Sequence, residues 1–426
     1  MKFSIFRGKL MGRQTIPLAG ILGFGGAWML CHALSVSRTT GAALVLLLVA
    51  LLMAWVGFAL ERTRVGESCQ LGIGRNPIHW FRCEVKFLGF LCTVGLLGIW
   101  YWLLPEYRKP FYQPGFDILA TLLPLILAAA FPYIVWVDRR MKEPQDGYWH
   151  FGSLVMGQWR QVDWKEIRGH VAGWAVKGFF LPFMLGAASG HLDLLLRKGI
   201  DFDTFSMFYG TTLNVIVTVD VVFGALGYLL TLRILDSHIR SVEPTVLGWC
   251  VALYCYPPFA HFLRSNSLEY RGPYGKENWQ FWVFDQPVLY ISWGFAILVL
   301  HGIYAWATVS FGCRFSNLTN RGIITGGPYR YLRHPAYVCK NLAWWLMYIP
   351  FVGHGSWQGN LRACLFLLLL NGIYGLRAWT EERHLRKDPA YVEYCRWMDE
   401  HGLWSRVRNY FFDRINKIGK IYKRLE

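Results

Sequence analysis

The chain has 426 residues, 54% of them hydrophobic and only 17% charged, with a net charge of +17. That balance excludes an ordinary soluble globular domain, which carries more charge over its surface. Lys and Arg lie mostly in loops between apolar runs, so the basic excess is read as membrane orientation rather than as a nucleic-acid footprint.

Taken in chain order, apolar runs near bilayer-spanning length predict ten helical spans. The first six cover 16–36, 41–60, 87–104, 118–137, 171–192 and 212–232. The last four cover 245–263, 287–311, 335–352 and 360–378. Helix is the expected form because hydrocarbon offers an isolated span no other way to pair its backbone. Lys2, Arg7, Lys9 and Arg13 precede the first run. That run is too long for a signal peptide and has no clear cleavage site, so a retained span is expected.

Loop charges orient the set. With the N-terminus inside, successive inside segments hold four, five, six, two, four and eleven Lys or Arg, and the outside loops hold one, two, two, three and none. An error of one span would scramble this alternation, so an even count with both termini cytoplasmic is expected. The fold class is therefore an all-α, polytopic transmembrane bundle of about ten spans. Its regions are 1–240, about six spans; 241–400, the part that carries the chemistry; and 401–426, a basic and aromatic tail. From Val407 onward that tail suits a helix lying on the cytoplasmic leaflet.

Several residues break the apolar pattern. Pro257 and Pro258 should kink the seventh span. Asp220 and Lys177 fall inside the sixth and fifth spans, where charge is costly and marks either function or a buried partner. Gly272-Pro273-Tyr274 echoes Gly327-Pro328-Tyr329, too briefly for a repeat. The ten cysteines include no C-x-x-C pair, and Cys31, Cys92, Cys250 and Cys364 sit in apolar runs. Neither a disulfide framework nor a metal site is expected.

Residues 316–398 differ from the rest, because polar and ring-bearing side chains crowd one mouth of two adjacent spans. Gly326-Gly327-Pro328 predicts a tight turn. His334 should cap the helix that begins at Pro335, and Tyr337 should lie in its first turn. Unpaired N–H groups there attract an anion. Arg377 and Glu381 are four apart and share a helix face, expected to meet water where the helix leaves the membrane, while Glu382 points elsewhere. Such a pair of helix ends suits a ligand with both an amino group and a carboxylate.

These motifs resemble the isoprenylcysteine carboxyl methyltransferase family, which is itself similar to phospholipid N-methyltransferases. The residues that carry the resemblance are Gly327-Pro328-Tyr329-Arg330, Arg333-His334-Pro335-Ala336-Tyr337, Arg377, Glu381-Glu382, Leu385 and Tyr391-Val392-Glu393-Tyr394. They fall in about the last 110 residues, from near Phe311. The resemblance implies an integral membrane, multi-pass enzyme with an S-adenosylmethionine (SAM) pocket facing the cytoplasm and a lipid tunnel open to the bilayer. It implies that Ile323 and Ile324 line the approach, that Tyr329, His334, Pro335, Ala336 and Tyr337 hold the cofactor, and that Glu381 takes its amino group. Arg377 would orient the acceptor. A carboxylate acceptor needs no general base at neutral pH. An amine acceptor needs one, and Glu382 or His384 is placed to serve. The implied partners are membrane lipids and a hydrophobic acceptor, with neither nucleic acid nor metal.

Cys339-Lys340-Asn341 departs from the plain apolar stretch expected after this motif, and its polar members bear on the acceptor. Two alternatives stand beside the transferase. Membrane sterol reductases carry a similar run but bind NADPH; here Glu381-Glu382-Arg383-His384-Leu385 stands where they have a different signature. A transporter or scaffold with an inactive cofactor site would use Asp220 and Lys177 instead.

Overall fold

The computed structural model describes residues 15–34, 36, 38–61, 76–260, 279–352 and 354–410. Helices account for most of it. They are α1 (Thr15–Ala33), α2 (Arg38–Glu61), α3 (Trp80–Leu103), α4 (Gln113–Asp138), α5 (Gly147–Val155), α6 (Trp164–Lys198) and α7 (Phe205–Leu229). The second half holds α8 (Val246–Leu253), α9 (Trp279–Val283), α10 (Pro287–Phe311), α11 (Pro335–Tyr348), α12 (Trp357–Leu385) and α13 (Pro389–His401). Two short strands, β1 (Ser241–Val242) and β2 (Thr319–Asn320), pair antiparallel, Val242 opposite Thr319.

Among the described residues eight helices are long and apolar enough to cross a membrane: α1–α4, α6, α7, α10 and α12. Large apolar side chains such as Leu22, Leu51, Trp55, Trp102 and Leu125 face outward from them. Helices apolar on every side need lipid around them, and the chain is an integral membrane protein.

The runs at 245–263 and 335–352 do not form full-length helices. α8 stops at Leu253, and turns occupy 254–259, around Pro257 and Pro258. A proline removes a donor and clashes with the preceding turn, so the helix ends here instead of kinking. α11 has 14 residues, about 21 Å at 1.5 Å each, against about 30 Å of hydrocarbon. Ile349 at φ 40°, followed by Pro350, terminates it.

Even so, α11 leads from one end of α10 toward the other, and Glu243 and Trp279 lie at opposite ends of α7. The Glu243 N–H donates to the Leu318 carbonyl (2.8 Å), on the loop that Arg321 ties to Gly227 at the end of α7. Trp279 donates to the Tyr209 hydroxyl at the opposite end of α7 (3.2 Å). α11 begins at His334 beside α12's last turn and ends where the Leu346 carbonyl accepts from Trp293, near the start of α10 (2.9 Å).

The core lies between α6 and α7, where Phe180, Leu185 and Leu192 pack with Phe223 and Leu226 among fully buried side chains. In the N-terminal half, fully buried Asp138 is held by Arg82 and by Lys86 (2.8 Å). The described tail residues 403–410 are helical; 411–426, the basic N-terminal residues and Gly272-Pro273-Tyr274 lie outside the described residues.

Candidate functional site

A loop built on one buried cation frames the site. Arg321 is 2% exposed. It donates to the carbonyls of Ser237 (2.6 Å), Gly227 (2.8 Å), Phe315 (2.7 Å) and Cys313 (2.7 Å). Burial pushes its guanidinium down to about 9, still cationic at neutral pH. Gly227 lets the loop settle on α7, since a Cβ there would lie 2.4 Å from the Phe315 carbonyl oxygen. Arg314 is locked to Asp236 beside it (2.6 Å).

The next turn places the aromatic wall. Gly327 has φ 57°, and a Cβ would meet Ser310 Oγ at 2.3 Å, so both conformation and space call for glycine. Tyr329 then packs its ring against Phe311, and its carbonyl accepts from the Tyr394 hydroxyl (2.7 Å). Burial, with the charge of Glu381 adding to it, pushes the Tyr329 phenol well above its usual range. As the sequence predicts, His334 is the N-cap of α11 and Pro335 its first residue.

The side chains of α11 and α12 meet at this end. Glu381 Oε1 accepts from the Tyr337 hydroxyl (2.5 Å) and from Arg377 Nε (3.1 Å). Glu381 Oε2 lies 4.0 Å from His334 Nδ1. The His334 ring stacks on Tyr337, with centroids 5.5 Å apart, and its Nε2 pairs with Glu382 at 3.1 Å. Arg377 is 3% exposed. It donates to Asn317 (2.6 Å) and lies over the Tyr337 ring at 5.1 Å.

A cavity of about 170 Å³ opens between these groups. Ile323, Ile324, Tyr329, His334, Ala336, Tyr337, Arg377 and Glu381 all line it. Pro335 is buried and does not. Glu382 does not reach the cavity either; His334, Arg333 and Arg386 surround its carboxylate. Its carboxylate holds His334 instead of facing the cavity. Arg377, expected at the water boundary, is buried, because Asn317 and two tyrosine rings enclose it.

The sequence reading passed over several lining residues. Glu243 is distant along the chain from Asn317 and Thr319, and the β1–β2 pairing brings the two segments together. Lys340, which the sequence singles out by its polarity inside an apolar run, does face the cavity, its ammonium near the rings of Tyr304 (5.2 Å) and Trp344 (5.3 Å). Asp220 stands one layer behind, accepting from Tyr304 (2.6 Å). Lys177 lies over the Trp174 ring, away from this cavity.

The wall suits a polar zwitterion. Glu381 offers an oxygen to an ammonium, Arg377 and Lys340 offer positive charge, and two buried oxygens, Glu243 Oε2 and Thr319 Oγ1, have no hydrogen-bond partner. Unsatisfied acceptors lining a hollow are what a donor-rich ligand would complete.

Compared with family models, curated proteins and solved structures, the chain has no significant match.

Proposed function

We propose that the protein is a membrane-embedded methyltransferase that uses SAM and acts on a hydrophobic acceptor at the cytoplasmic face. The observation that carries this is the meeting of Glu381, Tyr337, His334 and Arg377 around one cavity at the start of α11. The cofactor, when bound, supplies an electrophilic methyl group on a sulfonium.

The chain's own residues bind and align. Glu381, held by Tyr337 and Arg377, receives the amino group. His334, oriented by Glu382, closes that side, and the helix start favours a carboxylate. Ile323 and Ile324 give an apolar face. Arg377 and Lys340 draw in and orient an anionic acceptor group, which favours a carboxylate over an amine. A carboxylate needs no base, so alignment in a dry pocket is the main contribution. For an amine acceptor, His384 faces the cavity and Glu382 does not.

We place ten crossings in the membrane, with the chain around α8 and with α11 supplying the seventh and ninth. What supports this is that α11 runs from beside the last turn of α12 to near the start of α10, and that Glu243 and Trp279, which flank the seventh, lie at opposite ends of α7. The loop charges then put both termini and the cavity mouth on the cytoplasmic side.

The test is equilibrium binding of labelled SAM and of NADPH to the purified protein in lipid nanodiscs. It is followed by incubation of membranes with methyl-labelled SAM and lipid mass spectrometry. Binding of SAM without NADPH, and a methylated lipid-like product abolished in His334→Ala but kept in Asp220→Asn, is expected. Binding of NADPH alone would replace this reading with the reductase, and the inverse mutant pattern would replace it with a transporter.

A further inference from the structure

The loop strand β2 and the segment before α8 enclose a second polar corner of the cavity, away from Glu381's contacts with Tyr337 and Arg377. Glu243 is only 3% exposed, yet its Oε2 has no hydrogen-bond partner. Its other oxygen is fixed: Oε1 accepts from the Thr245 N–H (3.1 Å) and hydroxyl. Thr245 in turn caps α8, which holds the carboxyl group in place. Thr319, whose chain neighbour Leu318 accepts from the Glu243 N–H, presents a buried Oγ1 that is also unpartnered. His384 Nδ1 lies 3.7 Å from Glu243 Oε2, too far for a hydrogen bond. The three side chains line the same cavity.

A carboxylate only accepts hydrogen bonds, so whatever completes Oε2 must donate. Arg383, 3.4 Å from Oε1, already brings positive charge to this carboxylate and disfavours an ammonium. A neutral donor that can also share Thr319 fits better. On α12, His384 follows Glu381 by three residues, about 5 Å along the axis. Ile323 and Ile324, shortly after β2, offer an apolar face in the same cavity.

We propose that Glu243 and Thr319 form the hydroxyl-binding end of this cavity and take the vicinal diol of a ribose. The proposal rests on the reading of Glu381 as the amino-group end of a nucleoside-bearing cofactor. It assigns the opposite end of that ligand to residues outside the sequence motif, and it identifies the ligand class as one carrying an unmodified ribose.

The experiment is calorimetric titration of the full chain in nanodiscs with S-adenosylhomocysteine and with its 2′,3′-dideoxy counterpart. The wild type is expected to bind the ribonucleoside at least about tenfold more tightly, the effect of leaving a buried acceptor unpaired. In Glu243→Gln, the Thr245 N–H and hydroxyl hold the amide oxygen at the Oε1 position, so an NH₂ stands where Oε2 was. Ribonucleoside affinity should fall about tenfold and the preference over the dideoxy ligand should collapse. Thr319→Val should lower the same preference, and it serves if Glu243→Gln does not fold. Equal affinity of the wild type for both ligands, or an undiminished preference in both variants, overturns the proposal while leaving the cofactor reading standing. A wild type that binds neither ligand overturns both.

Discussion

Glu381 shows how a single carboxylate is prepared for a ligand. Two charge-bearing or polar donors share one of its oxygens, and the other is turned toward His334 and the cavity. A charge-assisted hydrogen bond is worth roughly 1.5–3 kcal/mol. Glu381→Gln should therefore weaken SAM binding by about 10- to 100-fold, read by calorimetry on the folded protein. Tyr337→Phe removes one neutral donor, and a loss of roughly three- to tenfold is expected. A Glu381→Gln protein that binds SAM like the wild type would remove this residue from the site. At this scale much was legible. His334 at the cap, Tyr337 one turn in, and Arg377 beside Glu381 all follow from helix periodicity once Pro335 starts the helix. The role of Glu382 was not, because helix periodicity shows which way a residue faces and not what waits there. Three basic or imidazole groups occupy it.

Among the elements, the loop between α10 and α11 bears the greatest share of the site's geometry. Arg321 donates to four carbonyls, of which that of Gly227 also accepts from the Thr231 hydroxyl. Arg321→Met should cost roughly 3–5 kcal/mol of stability, since each orphaned carbonyl costs about 1 kcal/mol or more. Thermal unfolding in detergent followed by tryptophan fluorescence would show it. Gly327→Ala imposes a positive φ on a residue with a side chain and drives it into Ser310 Oγ. A loss of about 1–3 kcal/mol is expected, with part recovered in the Gly327→Ala/Ser310→Gly double variant. If the two changes prove additive, the clash is not the cause. The turn at Gly326-Gly327-Pro328 could be read directly, because glycine and proline restrict the backbone locally. The strand pairing that brings Glu243 to Thr319 could not, since two residues per strand leave no periodic pattern to find.

For the molecule as a whole, the loop 233–241 ties the N-terminal spans to the C-terminal part that holds the cavity, and His238 lies in it. Burial, helped by the charges of Arg233, Arg240 and Arg321 and opposed by Asp236, holds its imidazole down at about 3. Its folded value lies below the ordinary 6.5, so the stability it carries is whole above that value and is lost as pH falls from 6.5 toward 3. The thermal midpoint should drop across that window, and His238→Gln should flatten the decline. Identical slopes in both proteins would assign the acid sensitivity elsewhere. The topology makes a separate prediction: cysteines added at either terminus of a cysteine-free variant should react with an impermeant maleimide only after the cytoplasmic face is opened. Labelling of one terminus from outside would mean an odd number of crossings.

The amino-acid order alone determined that this chain lives in a bilayer, where eight of its spans lie, and which residues sit at the start of α11 and on the last turns of α12. These features depend on apolar length and on the 3.6-residue repeat, both local properties of the chain. Only the tertiary structure decided that Arg377 would be buried and that Glu243 would share a cavity with Glu381. Those outcomes depend on which surfaces meet across long stretches of sequence, and a lipid-facing apolar residue reads the same whichever neighbour it eventually touches.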